Sequence, residues 1–396
     1  MKIGIIKEGK QPIDRRVPLS PKQCVKLKKI YPQLSLVVQP SPIRCFSDKE
    51  YLDQGVELQE DLYDCDLIVG VKEVPLNFLI PKKKFLFFSH TIKKQPYNKN
   101  LLKEILRKKI DLIDYEVIKN VNGERIIGFG RYAGIVGAYN AFLTFGLKIK
   151  LYNLKPAYLC FNKKEIESEL LKVKIDKLKI ILTGNGRVSK GAEEILSLLN
   201  IKKVSKYDFL NKEFSYSVYT CLTVVDYYKT LDFKTSSKDD IYNNPTHYKS
   251  CFSKYLSHAD MLITGHFFDS NAPFLFTKND IINNKKLKVV ADISCDIDGP
   301  VPCTIRSSKI TSPIYGYNPK LFIEDNFLKD DVIAVMAVDN LPCELPKDAS
   351  VYFGQQLIDN VIPNFFNDNN GIIINATITQ NGNLTEKFKY LEDYVS

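Results

Sequence analysis

Through the first third of the chain, short apolar runs alternate with stretches whose apolar residues recur every three or four positions. KIGIIKE, LSLVVQP, DLIVGVKE, KFLFFSH and IDLIDYEVI have the length and composition of buried strands. SPKQCVKLKKI opens on a Ser-Pro pair, a helix-start signal, and YNKNLLKEILRKKI carries an amphipathic stripe. That alternation predicts a mainly parallel sheet built from βαβ units.

The pattern changes over residues 128–149, GFGRYAGIVGAYNAFLTFGLKI, which is apolar nearly all round. Small residues at Gly130, Ala133, Gly134, Gly137 and Ala138 allow close packing, and the segment reads as a long buried helix leaving one domain for the next. KLKIILTGNGRVSKGAEEILSLLNIKKVS then reads as strand, glycine turn, helix and second strand. Residues 206–257 are polar and irregular, with the character of an insertion. Strands resume at ADMLITG, KVVADIS and VIAVMAVDN, and LPCELPKDASVYFGQQLIDNVIPNFF reads as a helix returning to the first domain. The tail from about Asn367 reads as a loosely attached hairpin or strand pair. The expected fold is α/β with two Rossmann-like doubly wound domains: 131–340 binds a dinucleotide, and 1–130 with 341–396 carries the substrate side.

Composition narrows the class. The chain has 396 residues and a net charge of +10, but lysine outnumbers arginine 48 to 8 and tryptophan is absent. No basic-aromatic module accompanies the charge, so it reads as compositional bias and no nucleic-acid partner is expected. No apolar run reaches the ~18 residues of a membrane span. The start, MKIGIIKEGK, reads as a strand and not a signal peptide, which predicts a cytoplasmic protein, monomeric or homodimeric. The nine cysteines show no C-x-x-C and read as reduced thiols, with no metal site.

Candidate chemistry sits at two places. In TGNGRVSKG, Gly184 and Gly186 fall between a strand and a helix, where a dinucleotide fold turns tightly and admits pyrophosphate to the helix N-terminus. The strand after that helix normally ends in an acid that binds ribose. Here it ends near Ser205 and Lys206, which suit a 2′-phosphate better, with Asp208 as an alternative, so the cofactor is NAD or NADP. In the first domain, Lys72 and His90 lie just past strand ends. Arg15 and Arg16 follow the first strand, Lys93 lies three residues after His90, and Arg125 precedes the long helix. One rim thus offers a lysine and a histidine for proton transfer and arginines for carboxylates. Crowded cations would lower the pKa of Lys72 toward that of a base. His266, after a strand of the cofactor domain, is a candidate for lining its site; His247 and His258 read as structural.

DRRVPLSP, GVKEVP, FFSHTIKKQ, GFGRYAG and VDNLPCELPKDAS, in this order, resemble the lysine-forming saccharopine dehydrogenases and lysine–2-oxoglutarate reductases, within the alanine dehydrogenase and transhydrogenase group. The resemblance covers nearly the whole chain and is weakest at 206–257 and after Asn367. It implies two Rossmann-like domains with a cleft between them, and NAD(P)-dependent cleavage of saccharopine to lysine and 2-oxoglutarate, or the reverse. It implies Lys72 as the base and His90 as the acid–base group. Arg16, Lys93, Gln95, Arg125 and Phe129 would shape the substrate site. Gly186 and Arg187 would meet the pyrophosphate, and Phe267, Ile293, Val338, Asp339 and Asn340 the nicotinamide side. An alanine dehydrogenase-like enzyme is the second reading; Arg125 and Lys93 argue for a larger polyanion.

Overall fold

The computed structural model describes residues 1–230, 237–266 and 271–396. The chain divides into two compact units, residues 1–129 with 346–396, and residues 130–345. In the first, β1 (Lys2–Ile5), α1 (Pro21–Ile30), β2 (Ser35–Val38), α2 (Asp48–Leu52), β3 (Glu57–Leu58), β4 (Leu67–Val69), β5 (Lys84–Phe87), α3 (Lys99–Arg107) and β6 (Asp111–Asp114) follow one another. α1 begins where the sequence signals it: Ser20 N–H donates to Gln23 Oε1 at 3.0 Å, and Pro21 takes the first turn. α3 buries its stripe of Leu101, Leu102 and Ile105. The strands lie parallel in the order β3-β2-β1-β4-β5-β6. The chain therefore starts mid-sheet, works outward to β3 and returns on the other side of β1. Loops leaving β1 and β4 diverge at that switch point, where open α/β sheets bind ligands.

The second unit opens with α4 (Gly130–Ile149), buried on nearly every side. Then come α5 (Lys163–Leu170), β7 (Lys179–Thr183), α6 (Arg187–Leu198), β8 (Lys202–Lys203), α7 (Lys206–Asn211) and β9 (Val218–Leu222). A small region follows with α8 (Val224–Tyr227), β10 (Tyr228–Thr230), α9 (Lys238–Asn243), β11 (Tyr248–Ser250) and α10 (Ser253–Leu256). The main sheet resumes with β12 (Met261–Thr264), α11 (Asn279–Ile282), β13 (Val289–Asp292), β14 (Ile314–Asn318), β15 (Ile323–Asp325) and β16 (Ile333–Met336).

Two expectations are corrected here. The stretch 206–257 is not one insertion, because β9 belongs to the main sheet, with Ile181 opposite Thr220 and Thr183 opposite Leu222. Its apolar residues are interrupted by Thr220 and Cys221, which hid the strand. The order is β15-β14-β16-β13-β12-β7-β9-β8, so β8 lies one place out and does not touch β7. Only the β10–β11 pair stands apart, and Tyr227, Tyr228, Tyr248 and Phe252 tie that region into the core.

α4 and α6 meet backbone to backbone. A methyl added to Gly134 would fall on the Val188 carbonyl oxygen, and one on Gly191 would fall on that of Arg131. From α4, Asn140 Nδ2 donates to Glu344 Oε1 at 2.9 Å, and burial pushes the Glu344 carboxyl up from 4.5 to about 8. The folded protein therefore holds a proton that the unfolded chain releases near pH 4.5, so this group weakens stability as pH rises toward 8. Glu344→Gln is expected to lie within about 1 kcal/mol of the parent at pH 5 and to exceed it by about 4 kcal/mol at pH 9 in urea unfolding.

The chain returns to the first unit with α12 (Pro346–Gln356), β17 (Thr377–Gln380), β18 (Asn383–Leu384) and α13 (Glu392–Val395). The tail is not loosely attached. β17 joins the first sheet antiparallel to β6, and Ile378, Phe388 and Leu391 are fully buried with Phe85 and Leu102. Its few apolar residues are spaced by polar ones, and only the sheet edge reveals what they cover. All nine cysteines are unpaired and five are buried. Among the described residues no helix is long and apolar enough to cross a membrane.

Candidate active site

In the first unit the loops after β1, β4, β5 and β6 share one edge of the sheet. Glu8, past β1, accepts the backbone N–H of Val71 at 2.6 Å and of Lys72 at 2.9 Å, bonding across the switch point. Burial, then Asp14, pushes the Glu8 carboxyl up to about 8. Arg16 is 1% exposed. Its Nε and Nη2 donate to Asp14 at 3.0 and 2.6 Å, and its guanidinium lies 4.2 Å from the Phe129 ring centroid. Phe129 in turn stacks on Phe353 at 4.4 Å. A buried guanidinium needs such a partner, and Asp14, although buried, is held well below the usual carboxylate range by Arg16.

Lys72 stands beside this pair. Burial lowers its pKa, and the Arg16 and Lys10 charges lower it further. Its Nζ has no hydrogen-bond or ion-pair partner among the described residues. A desolvated amine among cations gives up its proton more easily than an ordinary lysine.

His90 follows β5 with its backbone in the left-handed region, φ +51°. The loop is rooted by Ser89, whose N–H donates to Asp114 at 2.9 Å and whose hydroxyl meets Thr91 at 2.7 Å. Asn98 Nδ2 donates to the Ser89 carbonyl at 3.0 Å. His90 Nδ1 lies 2.7 Å from Glu73 Oε1, and Lys10 Nζ also binds that carboxyl, at 2.9 Å. Burial opposes ionisation of Glu73, but His90 and Lys10 win and pull it down to about 2. A carboxylate only accepts, so Nδ1 carries the hydrogen and Nε2 of the neutral ring is the basic atom. Lys93 is exposed in the following turn, and Gln95 is half-buried. Arg125 reaches Glu116, past β6, at 3.4 Å.

The fold thus brings Arg16, Lys72, His90 and Phe129 together in one unit, with Lys93, Gln95 and Arg125 on loops of the same edge. Arg16 differs from expectation: it is committed to Asp14 and shapes Lys72 electrostatically instead of offering an exposed fork. Glu8, Asp14 and Glu73 escaped the sequence reading. The signal was available, since cations gathered at one rim require acids to bury them, and Glu73 sits next to Lys72 in GVKEVP.

In the second unit the switch point lies between β7 and β12. Gly184 there has φ +84°, and a methyl on it would come 2.5 Å from the Gly265 carbonyl oxygen at the end of β12. Gly186, at the start of α6, has open space where a side chain would stand. Ser189 Oγ donates to the Thr183 carbonyl at 2.9 Å, locking the turn, and Arg187 begins the helix. Backbone N–H groups, a helix dipole and that open space fit a dinucleotide pyrophosphate. His266 is buried against Thr183, Nδ1 to Oγ1 2.6 Å, and burial lowers it to about 4, so it is neutral. Ile293 follows β13 and fills the space left by Gly137. Val338 is buried past β16, while Asp339 is exposed and Asn340 half-buried. Phe267 lies outside the described residues.

Ser205 is misplaced by the sequence reading. It caps α7, accepting the Asp208 N–H at 3.0 Å, beyond the outermost strand. The strand beside β7 is β9, and its carboxyl end carries Thr223 and Asp226. Asp226 Oδ2 accepts from the Thr223 N–H and hydroxyl at 2.7 and 2.8 Å, and its other oxygen pairs with Lys206.

Two doubly wound units, one with a glycine turn at its switch point and the other with a lysine–histidine cluster at its own, define the architecture of a two-domain dehydrogenase. The chain belongs to the alanine dehydrogenase/PNT family: its N-terminal domain matches residues 4–136 and its C-terminal domain residues 133–387. Alpha-aminoadipic semialdehyde synthase of Rattus norvegicus is 32% identical over 96% of this chain and 46% of its own length. The chain thus spans under half of such relatives. Saccharopine dehydrogenase [NAD(+), L-lysine-forming] of Yarrowia lipolytica is 22% identical, covering 89% of each chain. A solved L-alanine dehydrogenase shares the fold over both full chains, with a TM-score of 0.67 at 16% identity. The name of the Yarrowia lipolytica relative gives NAD(+) as its cofactor and L-lysine as its product.

Proposed function

We propose that this chain interconverts saccharopine with L-lysine and 2-oxoglutarate, using NAD(P). The observation that carries the reading is the cluster of Lys72, Arg16 and the Glu73–His90 pair at one switch point, suited to an anionic amine substrate. The lysine-forming relative, matched along nearly its whole length, supports it. A bound nicotinamide supplies the hydride acceptor or donor. In the oxidative direction Lys72, its pKa lowered by burial, takes the proton of the secondary amine as the carbon–nitrogen bond becomes an imine. His90 Nε2 takes a proton from the attacking water and returns it to the departing lysine nitrogen. Glu73 holds the tautomer. Lys93, Gln95 and Arg125 bind the substrate's carboxylates. Gly184, Gly186 and Arg187 hold the pyrophosphate, and Ile293 with Val338, Asp339 and Asn340 lines the nicotinamide side. The test is turnover of lysine plus 2-oxoglutarate with NADH or NADPH, against pyruvate plus ammonia. Turnover only with the second pair would mark an alanine dehydrogenase and end the proposal.

In this reading the adenosine ribose meets the end of β9, the strand paired with β7. Ser205→Ala should leave the NADH-to-NADPH preference unchanged. Asp226→Asn keeps the cap but removes a charge that repels a 2′-phosphate, and should shift the kcat/KM ratio several-fold toward NADPH. A shift from Ser205→Ala and none from Asp226→Asn would return the role to β8.

A further inference from the structure

The loop that carries His90, Lys93 and Gln95 is bound from the far end of its unit. Tyr390 OH donates to the Ile92 carbonyl at 2.9 Å. Lys94 Nζ makes a two-pronged contact with Asp393, 2.6 and 2.7 Å, and lies 5.8 Å from the Tyr390 ring centroid. Tyr394 OH donates to the Gln95 carbonyl. These contacts bracket Lys93 on both sides. The loop needs holding, because His90 and Lys94 both have left-handed backbones, at φ +51° and +54°. The tail can hold it, because Phe388, Leu391 and Tyr394 are buried in the core against which α3 also packs.

We propose that the segment Tyr390–Tyr394 sets the shape of the loop from His90 to Gln95, making Tyr390, Asp393 and Tyr394 positioning residues for the substrate. This rests on the reading of that loop as a substrate-binding element. None of the three hydroxyl or carboxylate groups needs to touch substrate. They fix carbonyls and a neighbouring ammonium, so that Lys93 and Gln95 are presented without an ordering cost on binding.

The test uses the full chain carrying Tyr390→Phe, Asp393→Asn and Tyr394→Phe together, changes that keep both rings, including the buried one of Tyr394, and so preserve folding. The substrate KM should rise about tenfold, with kcat within threefold and dinucleotide Kd within twofold, and amide exchange over residues 91–95 should quicken about tenfold. An exposed ion pair alone contributes little, so Lys94→Asp and Asp393→Lys should each raise KM two- to threefold, and their combination should restore it. Aspartate tolerates the left-handed backbone at position 94. Unchanged exchange, or quickened exchange with an unchanged KM, would overturn the proposal. Absence of lysine-linked turnover in the parent would instead sink the substrate reading, and the exchange measurement would then decide by itself whether the tail holds the loop.

Discussion

Lys72→Met is expected to lower turnover about a thousandfold while dinucleotide affinity stays within twofold. Methionine matches the length and burial of the lysine stem, so packing around Arg16 and Asp14 survives. What is lost is an amine at the switch point whose surroundings lower its pKa. Removing a positioned general base typically costs 10²–10⁴ in rate. Dinucleotide binding, assigned to the glycine turn in the other unit, reads out separately by nicotinamide fluorescence. In the parent enzyme kcat/KM for saccharopine should fall toward acid pH, because protonation of Lys72 removes the base. Its lowered pKa moves that limb below the range of an ordinary lysine. Turnover within tenfold of the parent in Lys72→Met would show that another group takes the amine proton.

Gly134→Ala should destabilise the second unit by about 3 kcal/mol or more, seen as a lower urea midpoint with an unchanged slope. The added methyl meets the Val188 carbonyl oxygen and, at 2.8 Å, the Ala192 nitrogen. Both are helix backbone and cannot swing aside as a side-chain end could, so α4 and α6 must separate along a shared apolar face. Gly186→Ala is the matched control. Its backbone, φ −84°, suits alanine, and the methyl meets only open space. Stability should therefore hold while dinucleotide affinity falls, since the methyl occupies the approach to the α6 N-terminus. Equal urea midpoints for Gly134→Ala and the parent would mean that the helices have room to adjust.

Much of the architecture was legible as pattern. Apolar runs bounded by polar residues located β1, β2, β4, β5 and β6, and small residues marked α4 as a helix that others approach closely. Lys72 and His90 were legible because strand ends are. β9 was not, since its alternation is broken by threonine and cysteine and its place between β7 and β8 is a long-range choice. The error over Ser205 followed directly: the sequence orders the strands as they are made, and the sheet orders them as they pack. Arg16 was recognised as a cation, but whether it greets solvent or Asp14 depends on how deeply the first loop folds back.

By itself the sequence determined the two doubly wound units, the glycine turn and the gathering of lysine, histidine and arginine at strand ends, because these are local, periodic signals written within a few residues. Only the tertiary structure decided which acids answer those bases, which strand stands beside the glycine turn, and that the tail grips the loop after β5. Those are contacts between segments up to three hundred residues apart, made by burial and strand order, and no local pattern encodes them.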